Sequence, residues 1–148
     1  MKGARAAAVV GLLLIGLAPA RGAAVDGMVT LIVSVDGFPD DEGRAGVAVW
    51  SGARGFPEDI EHAIATTYVA IVGSAAEARF GPFPPGVYAV TVYHDRDGDE
   101  TFDKNWLGVP REAWGVSNNV RPRLRAPRFD EARLDLEAGE HDVRIHVD

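Results

Sequence analysis

The sequence predicts an all-β fold, a β-sandwich of about seven mainly antiparallel strands with one short helix. Apolar residues alternate with polar ones in residues 29–35 and again in 143–147, a two-residue period that is typical of strands with one face on a core. Glycine, proline and aspartate separate the apolar segments at short intervals, which favours a sandwich. The composition, with 47% hydrophobic and 25% charged residues, is typical of a globular protein.

The individual elements follow from the same pattern. Seven segments are predicted as strands, and they are residues 29–35, 46–50, 67–72, 77–80, 87–93, 133–136 and 143–147. In the last of them Val143, Ile145 and Val147 are expected to face the core. The one helix is expected over residues 57–64, because a proline and two acids precede Ile60 and Ile64 at helical spacing.

The first 20 residues are expected to be a secretory signal peptide. Lys2 and Arg5 precede an apolar run over residues 9–17, and Ala18-Pro19-Ala20 follows as a small-residue cleavage site. The run is shorter than the ~20 residues that a membrane-spanning helix needs, so no stable span is expected after cleavage. The prediction is a single mature domain, residues 21–148, exported to the periplasm or the extracellular space.

Charge and cysteine content narrow the classes of partner. The net charge is −7, and removal of residues 1–20, which hold Lys2 and Arg5 but no acid, changes it to −9. An acidic surface repels the phosphate backbone, so nucleic acid is not expected as a partner. Because the chain has no cysteine, disulfides, thiol catalysis and thiolate metal sites are excluded. A small molecule or an extracytoplasmic protein remains as the expected partner.

A proline-glycine turn introduces the fifth predicted strand. Pro84 and Pro85 restrict φ, Gly86 can take a positive φ, and Tyr88, with the valines two and four residues later, forms an apolar stripe. Residues 80–90 resemble the corresponding turn and strand of transthyretin-like (prealbumin-like) and carboxypeptidase-regulatory-like sandwiches. Transthyretin-like hydroxyisourate hydrolases end in Tyr-Arg-Gly-Ser, whereas this chain ends Ile-His-Val-Asp, so the resemblance implies a prealbumin-like or immunoglobulin-like fold without that activity.

A second resemblance covers most of the chain and is strongest over residues 83–132. Its motifs here are Pro85-Gly86, His94-Asp95, an Asp/Asn/Gly-rich loop, Gly-x-Pro-x-Glu over 108–112 and Gly-x-Ser-Asn-Asn over 115–119. This pattern resembles a bacterial family of small exported proteins known only as a domain of unknown function, DUF2141. The resemblance implies a β-sandwich outside the cytoplasm and carries no established activity.

The loop after the fifth strand has the carboxylate spacing of a calcium loop. Four aspartates occupy its first, third, fifth and ninth places, and they are Asp95, Asp97, Asp99 and Asp103. Thr101 stands at the seventh place, where a backbone carbonyl is used. Trp106 replaces the bidentate glutamate of the twelfth place and Glu100 replaces the glycine of the sixth, and Glu112 could supply the missing ligand. Calcium is therefore the candidate cofactor.

Other interpretations of the same stretch stay open. The aspartates could stabilise turns in a solvated hairpin without any metal, leaving a purely structural or interaction domain. His94 with a loop aspartate could serve a small hydrolase, although no Gly-x-Ser-x-Gly motif accompanies Ser117 and we expect no catalytic residue. The polar residues that could contact an organic ligand are His94, Asn105, Glu112, Ser117, Asn118 and Asn119.

Overall fold

The computed structural model describes residues 25–102, 104 and 108–148, so the predicted signal peptide lies outside the described residues. Eight strands lie in this part of the chain: β1 (Val29–Asp36), β2 (Arg44–Trp50), β3 (Ala65–Ala70), β4 (Ala75–Phe83), β5 (Gly86–Asp95), β6 (Trp114–Val116), β7 (Leu134–Leu136) and β8 (Gly139–His146). One α-helix, α1 (Phe129–Ala132), and two 3-10 turns, Ile60–His62 and Ser117–Asn119, complete the elements. None of the described helices is long and apolar enough to cross a membrane.

The strands form two sheets. The first has three strands in the order β4-β1-β8, and the second has the order β3-β2-β5-β6, with β7 beside the beginning of β5. All strand pairs are antiparallel except β1 and β8, which run parallel from the pair Val29 and Gly139. The predicted mainly antiparallel, all-β architecture is confirmed.

The main core lies between the two sheets. It takes alternate residues of each central strand, as a two-residue period requires, including Val33 of β1, Val49 of β2, Val90 of β5 and Ile145 of β8. Val143, Ile145 and Val147 are all buried, as predicted. Full burial of one such side chain stabilises the fold by about 1.5–3 kcal/mol, so this stripe pattern determines which way each strand faces.

A second apolar cluster lies on the outer face of the larger sheet. Trp50, Ala89 and Val116 project there, and they are covered by Phe56 from the segment before β3 and by Phe129 of α1. The indole of Trp50 is fully buried and donates a hydrogen bond to Thr91 Oγ1 at 3.0 Å. The larger sheet is therefore apolar on both faces, and the segments that follow β2 and β6 cover its outer face.

The predicted helix over residues 57–64 is wrong: only Ile60–His62 is helical there, as a 3-10 turn. Asp59, which precedes this turn, makes no side-chain cap, and the Ile64 N–H already bonds the Val49 carbonyl at 2.8 Å. The backbone at Ile64 thus already forms sheet hydrogen bonds with β2, so a helix cannot extend through it. The α-helix is instead α1, where the Glu131 carboxylate accepts the Arg128 N–H at 2.9 Å.

Candidate functional site

The candidate site lies where β5 ends. Asp95 is the last residue of β5 and is paired with Arg44 at the start of β2. After Asp95 the chain leaves the sheet and forms the acidic loop, by which we mean residues 95–101. The site thus begins on a rigid central strand and continues into an exposed turn.

Asp95 is the buried member of the site. Its side chain has no exposure to solvent, and its Oδ2 accepts a hydrogen bond from Arg44 Nη2 at 3.2 Å. Its Oδ1 is buried and has no hydrogen-bond partner among the described residues. A buried polar atom without a partner costs about 1–3 kcal/mol, and more when the group is charged, so this oxygen needs an explanation.

Two exposed carboxylates converge on Asp95. One oxygen of each of Asp95, Asp97 and Asp99 lies within 4.8 Å of the other two. Asp97 accepts the Asp99 N–H at 3.3 Å, and Asp99 accepts both the hydroxyl and the backbone N–H of Thr101, at 2.7 and 2.8 Å. The hydrogen bond from the Thr101 hydroxyl, followed by that from its backbone N–H, lowers the pKa of Asp99. Asp99 is therefore held in its ionised form.

Arg44 is the cation of the site. Its Nη2 lies 3.1 Å from the Gly98 carbonyl and 3.3 Å from Glu100 Oε1, in addition to its contact with Asp95. The guanidinium also lies over the ring of Tyr68, 4.7 Å from the centroid. A single positive charge is thus shared among several acceptors of the acidic loop, and Asp95 Oδ1 is not one of them.

The backbone of the loop has the turn that the sixth place of a calcium loop requires. Glu100 stands there with φ of 64°, a left-handed conformation that glycine adopts without steric cost and that a glutamate adopts rarely. The sequence departs from the calcium-loop pattern at this position, but the conformation of the chain does not.

The remaining predicted metal ligands are placed less closely. Glu112 Oε1 accepts the Arg96 N–H at 3.4 Å, next to Asp95 along the chain, but Glu112 is not in the three-carboxylate group. Asp103, Asn105 and Trp106 lie outside the described residues, so the ninth-place ligand and the Asn105 contact stay predictions.

His94 is a buried, hydrogen-bonded residue. Its side chain is 2% exposed, and because a carbonyl can only accept, Nε2 carries the proton that bonds the Glu42 carbonyl at 2.6 Å. Phe38 packs edge-on against the ring, with 5.4 Å between centroids. These contacts attach the β1–β2 connection to the end of β5. Use of His94 in hydrolysis stays a prediction.

Three further predicted ligand residues form an internal clamp, Ser117, Asn118 and Asn119. Ser117 Oγ is buried, donates to the Ala132 carbonyl at 2.5 Å and accepts the Val90 N–H at 3.0 Å.

The two asparagines extend the clamp to other elements. Asn118 Nδ2 donates to the carbonyls of Glu131 and Arg133 at 3.2 and 3.0 Å, and Asn119 Oδ1 accepts the His146 N–H of β8 at 2.8 Å. Both have positive φ, 62° and 51°, which asparagine tolerates. The clamp connects β5, α1 and β8. Its role in ligand binding stays a prediction.

Sequence reasoning missed Arg44, Asp40 and Glu42. Arg96 pairs with Asp40 and Glu42 at 3.0 and 2.9 Å, so the β1–β2 connection and the acidic loop are joined by alternating charges. Arg44 directly follows a run of acids and begins a strand, but no pattern in the sequence connects it to residues that follow it by more than 50 positions.

Comparison of the sequence with known protein families identifies the family of this chain. A family model described as an uncharacterized protein conserved in bacteria, DUF2141, matches residues 33–144. The chain belongs to the DUF2141 family. The matched residues include both the His94-Asp95 strand end and the clamp, and the match spans all strands from β2 to β7. No curated protein and no solved structure matches the chain.

Proposed function

We propose that the protein is a small extracytoplasmic binding module whose acidic loop binds calcium through Asp95, Asp97 and Asp99. Asp95 Oδ1, which is buried and has no hydrogen-bond partner among the described residues, carries this proposal. The other oxygen of Asp95, Oδ2, is hydrogen-bonded to Arg44, which leaves Oδ1 for a ligand. The carboxylates of Asp97 and Asp99 lie close enough to share an ion with Asp95. A divalent cation would supply the partner that this oxygen lacks among the described residues.

The charge of the site supports a cation as the ligand. Three carboxylates converge, and the guanidinium of Arg44 contacts only one of them, Asp95. Because like charges at this separation repel one another, the empty loop is destabilised, and a bound dication would relieve that repulsion. Calcium accepts irregular shells of six to eight oxygens, whereas magnesium requires a near-octahedral shell. An exposed, irregular loop therefore suits calcium better.

The expected affinity is modest. The bidentate glutamate of the twelfth place is missing, and Glu112 and the Thr101 carbonyl are proposed to complete the shell. Calcium sites of extracellular modules have dissociation constants of about 10⁻⁴–10⁻³ M, and a site with three carboxylates and a neighbouring arginine belongs in that range. Such a site suits a protein exported by the predicted signal peptide. N-terminal sequencing of the exported protein should find a mature chain that begins at Arg21 or within the next four residues.

Thermal melting with and without calcium tests the proposal. Binding to the folded state alone, at a calcium concentration 100 times the dissociation constant, stabilises it by about 2.7 kcal/mol, which is a rise in Tm of about 10 °C for a domain of this size. Replacement of Asp97 and Asp99 together by asparagine should abolish the calcium-dependent rise.

A matched control removes the same two charges elsewhere. Glu77→Gln with Asp142→Asn changes exposed acids of β4 and β8 and should leave the rise intact, which separates site binding from general screening. If the unmodified protein melts identically in millimolar calcium and in excess chelator, the proposal is wrong. Among the described residues, the guanidinium of Arg44 then remains the cation that contacts Asp95 and Glu100.

A further inference from the structure

The outer face of the larger sheet is covered incompletely. Phe56 from the segment before β3 and Phe129 of α1 cover one part of it and touch each other, with 5.8 Å between ring centroids. An apolar cleft of about 460 Å³ lies over another part. Its floor is formed by Thr91 and Tyr93 of β5 and by Trp114 of β6. We call this space the outer cleft. It lies on the opposite face of the sheet from the main core and is separate from the three-carboxylate group.

The walls of the outer cleft are apolar and aromatic. Phe102 lies against Tyr93, with 5.6 Å between ring centroids, and Ile60 and Pro110 complete the sides. Cavities of about 300–1,000 Å³ with apolar walls and a few polar groups are typical of small-molecule sites. The volume therefore fits an organic molecule of drug-like size.

Two apolar side chains at the outer cleft are exposed to water. Leu124 is 99% exposed and Val109 is 53% exposed, and both line the cleft. Each Å² of apolar surface removed from water contributes about 25 cal/mol, so a ligand in the cleft would gain from covering them as well as the floor. This surface favours an apolar body in the ligand.

One charged group at the outer cleft has no ion-pair partner among the described residues. The neighbouring arginines of the same segment are paired, Arg121 with Asp148 and Arg125 with Glu131. Arg123 also lines the cleft, and no carboxylate among the described residues pairs with it. On a protein of net charge −7, an unpaired guanidinium beside an apolar cleft favours an anionic group at its rim.

We propose that the outer cleft binds a small amphipathic organic anion, with its apolar body on Tyr93, Phe102 and Trp114 and its acidic group at Arg123. The proposal does not depend on calcium, because it uses neither Asp95 nor its neighbours in the acidic loop. It assigns the expected small-molecule partner to a different surface from the polar residues that the sequence indicated.

Two fluorescent probes test this assignment. Anilinonaphthalene sulfonate combines an aromatic body with an anionic group, and phenylnaphthylamine has a similar body without the charge. With the folded mature protein, both should show saturable binding to a single site. Ala126→Trp introduces an indole at an exposed position that lines the cleft and should abolish binding of both probes.

The charge is tested by Arg123→Glu. Because repulsion replaces attraction, the dissociation constant of the sulfonate should rise about tenfold, while that of phenylnaphthylamine should stay unchanged. Arg144→Glu makes the same charge change on β8, in the other sheet, and should affect neither probe. A melting curve of each variant establishes that it is folded.

Three results would overturn the proposal: no saturable binding of either probe, binding that persists in a folded Ala126→Trp variant, or equal responses of the two probes to Arg123→Glu. The first result would show that the cleft takes no apolar ligand, and the second that the probes bind elsewhere. The third would show that Arg123 does not select an anion.

Discussion

The clamp and the acidic loop are both rich in short polar side chains, and they differ in how those side chains are satisfied. In the clamp, Ser117, Asn118 and Asn119 each bond backbone groups of other elements. Among the described residues of the acidic loop, Asp97 and Asp99 accept hydrogen bonds from within their own turn, and the buried Asp95 keeps one oxygen without a partner.

This difference in hydrogen bonding indicates that the clamp has a structural role and that the acidic loop is the candidate binding site. A buried polar residue whose partners are all backbone groups holds the fold together, and truncating it should cost stability whatever the ligand. A buried carboxylate oxygen without a partner lowers stability, and we expect a ligand to complete it. The following variants test whether the two regions divide in this way.

Of these variants, Ser117→Ala should change the free energy of unfolding the most. It leaves the buried Val90 N–H and Ala132 carbonyl without the hydroxyl that joins them, and such a loss costs about 2 kcal/mol. The free energy of unfolding in urea should fall by that amount, equally with calcium and with chelator. Ser51→Ala, at an exposed serine, should change it by less than about 0.5 kcal/mol. A calcium-dependent difference would place Ser117 with the loop instead.

Glu131→Gln should change how stability depends on pH. Hydrogen bonds from Arg125 and from the Arg128 N–H lower the pKa of Glu131 to about 2, below the ~4.3 of an unfolded chain. The ionised form therefore stabilises the folded state above pH ~4.3, and this contribution is lost as the pH falls towards 2. The difference in Tm between the unmodified protein and the variant should be largest above pH 5 and should shrink on acidification. Glu137→Gln, at an exposed acid, serves as the control, and a difference that is constant with pH would contradict the prediction.

Glu100→Gly should change the stability the least, and it should raise the stability instead of lowering it. The φ of 64° at Glu100 is strained for a side chain but not for glycine, while the lost ion pair with Arg44 is exposed and worth little. The variant should be more stable by about 0.5 kcal/mol and should bind calcium at least as well. Glu100→Gln removes the charge but keeps the strain, so it should not be stabilised. Loss of stability in Glu100→Gly would show that the Arg44 contact outweighs the strain.

Much of this fold is determined by local pattern. The alternation in residues 29–35 and 143–147 predicts β1 and β8 because a two-residue period can bury only one face of a strand. It does not predict that they pair in parallel, because that choice depends on which strands meet in the sheet. The three-residue β6 was missed for a related reason: its strand character comes from pairing with Thr91, Val92 and Tyr93, whereas its own sequence is too short for a period.

The candidate site likewise has some features that the local sequence predicts and others that depend on the tertiary structure. Aspartate spacing in the sequence was sufficient to predict that Asp95, Asp97 and Asp99 converge, because residues two apart in a tight turn stay close. Only the tertiary structure decided that Asp95 is buried beside Arg44, that His94 bonds the Glu42 carbonyl and that the clamp bonds α1 and β8. Burial and hydrogen-bond partners come from residues distant in the chain, so no local pattern contains them. The outer cleft has the same origin, since its lining comes from β5, β6 and three separate segments that only the folded chain brings together over the sheet.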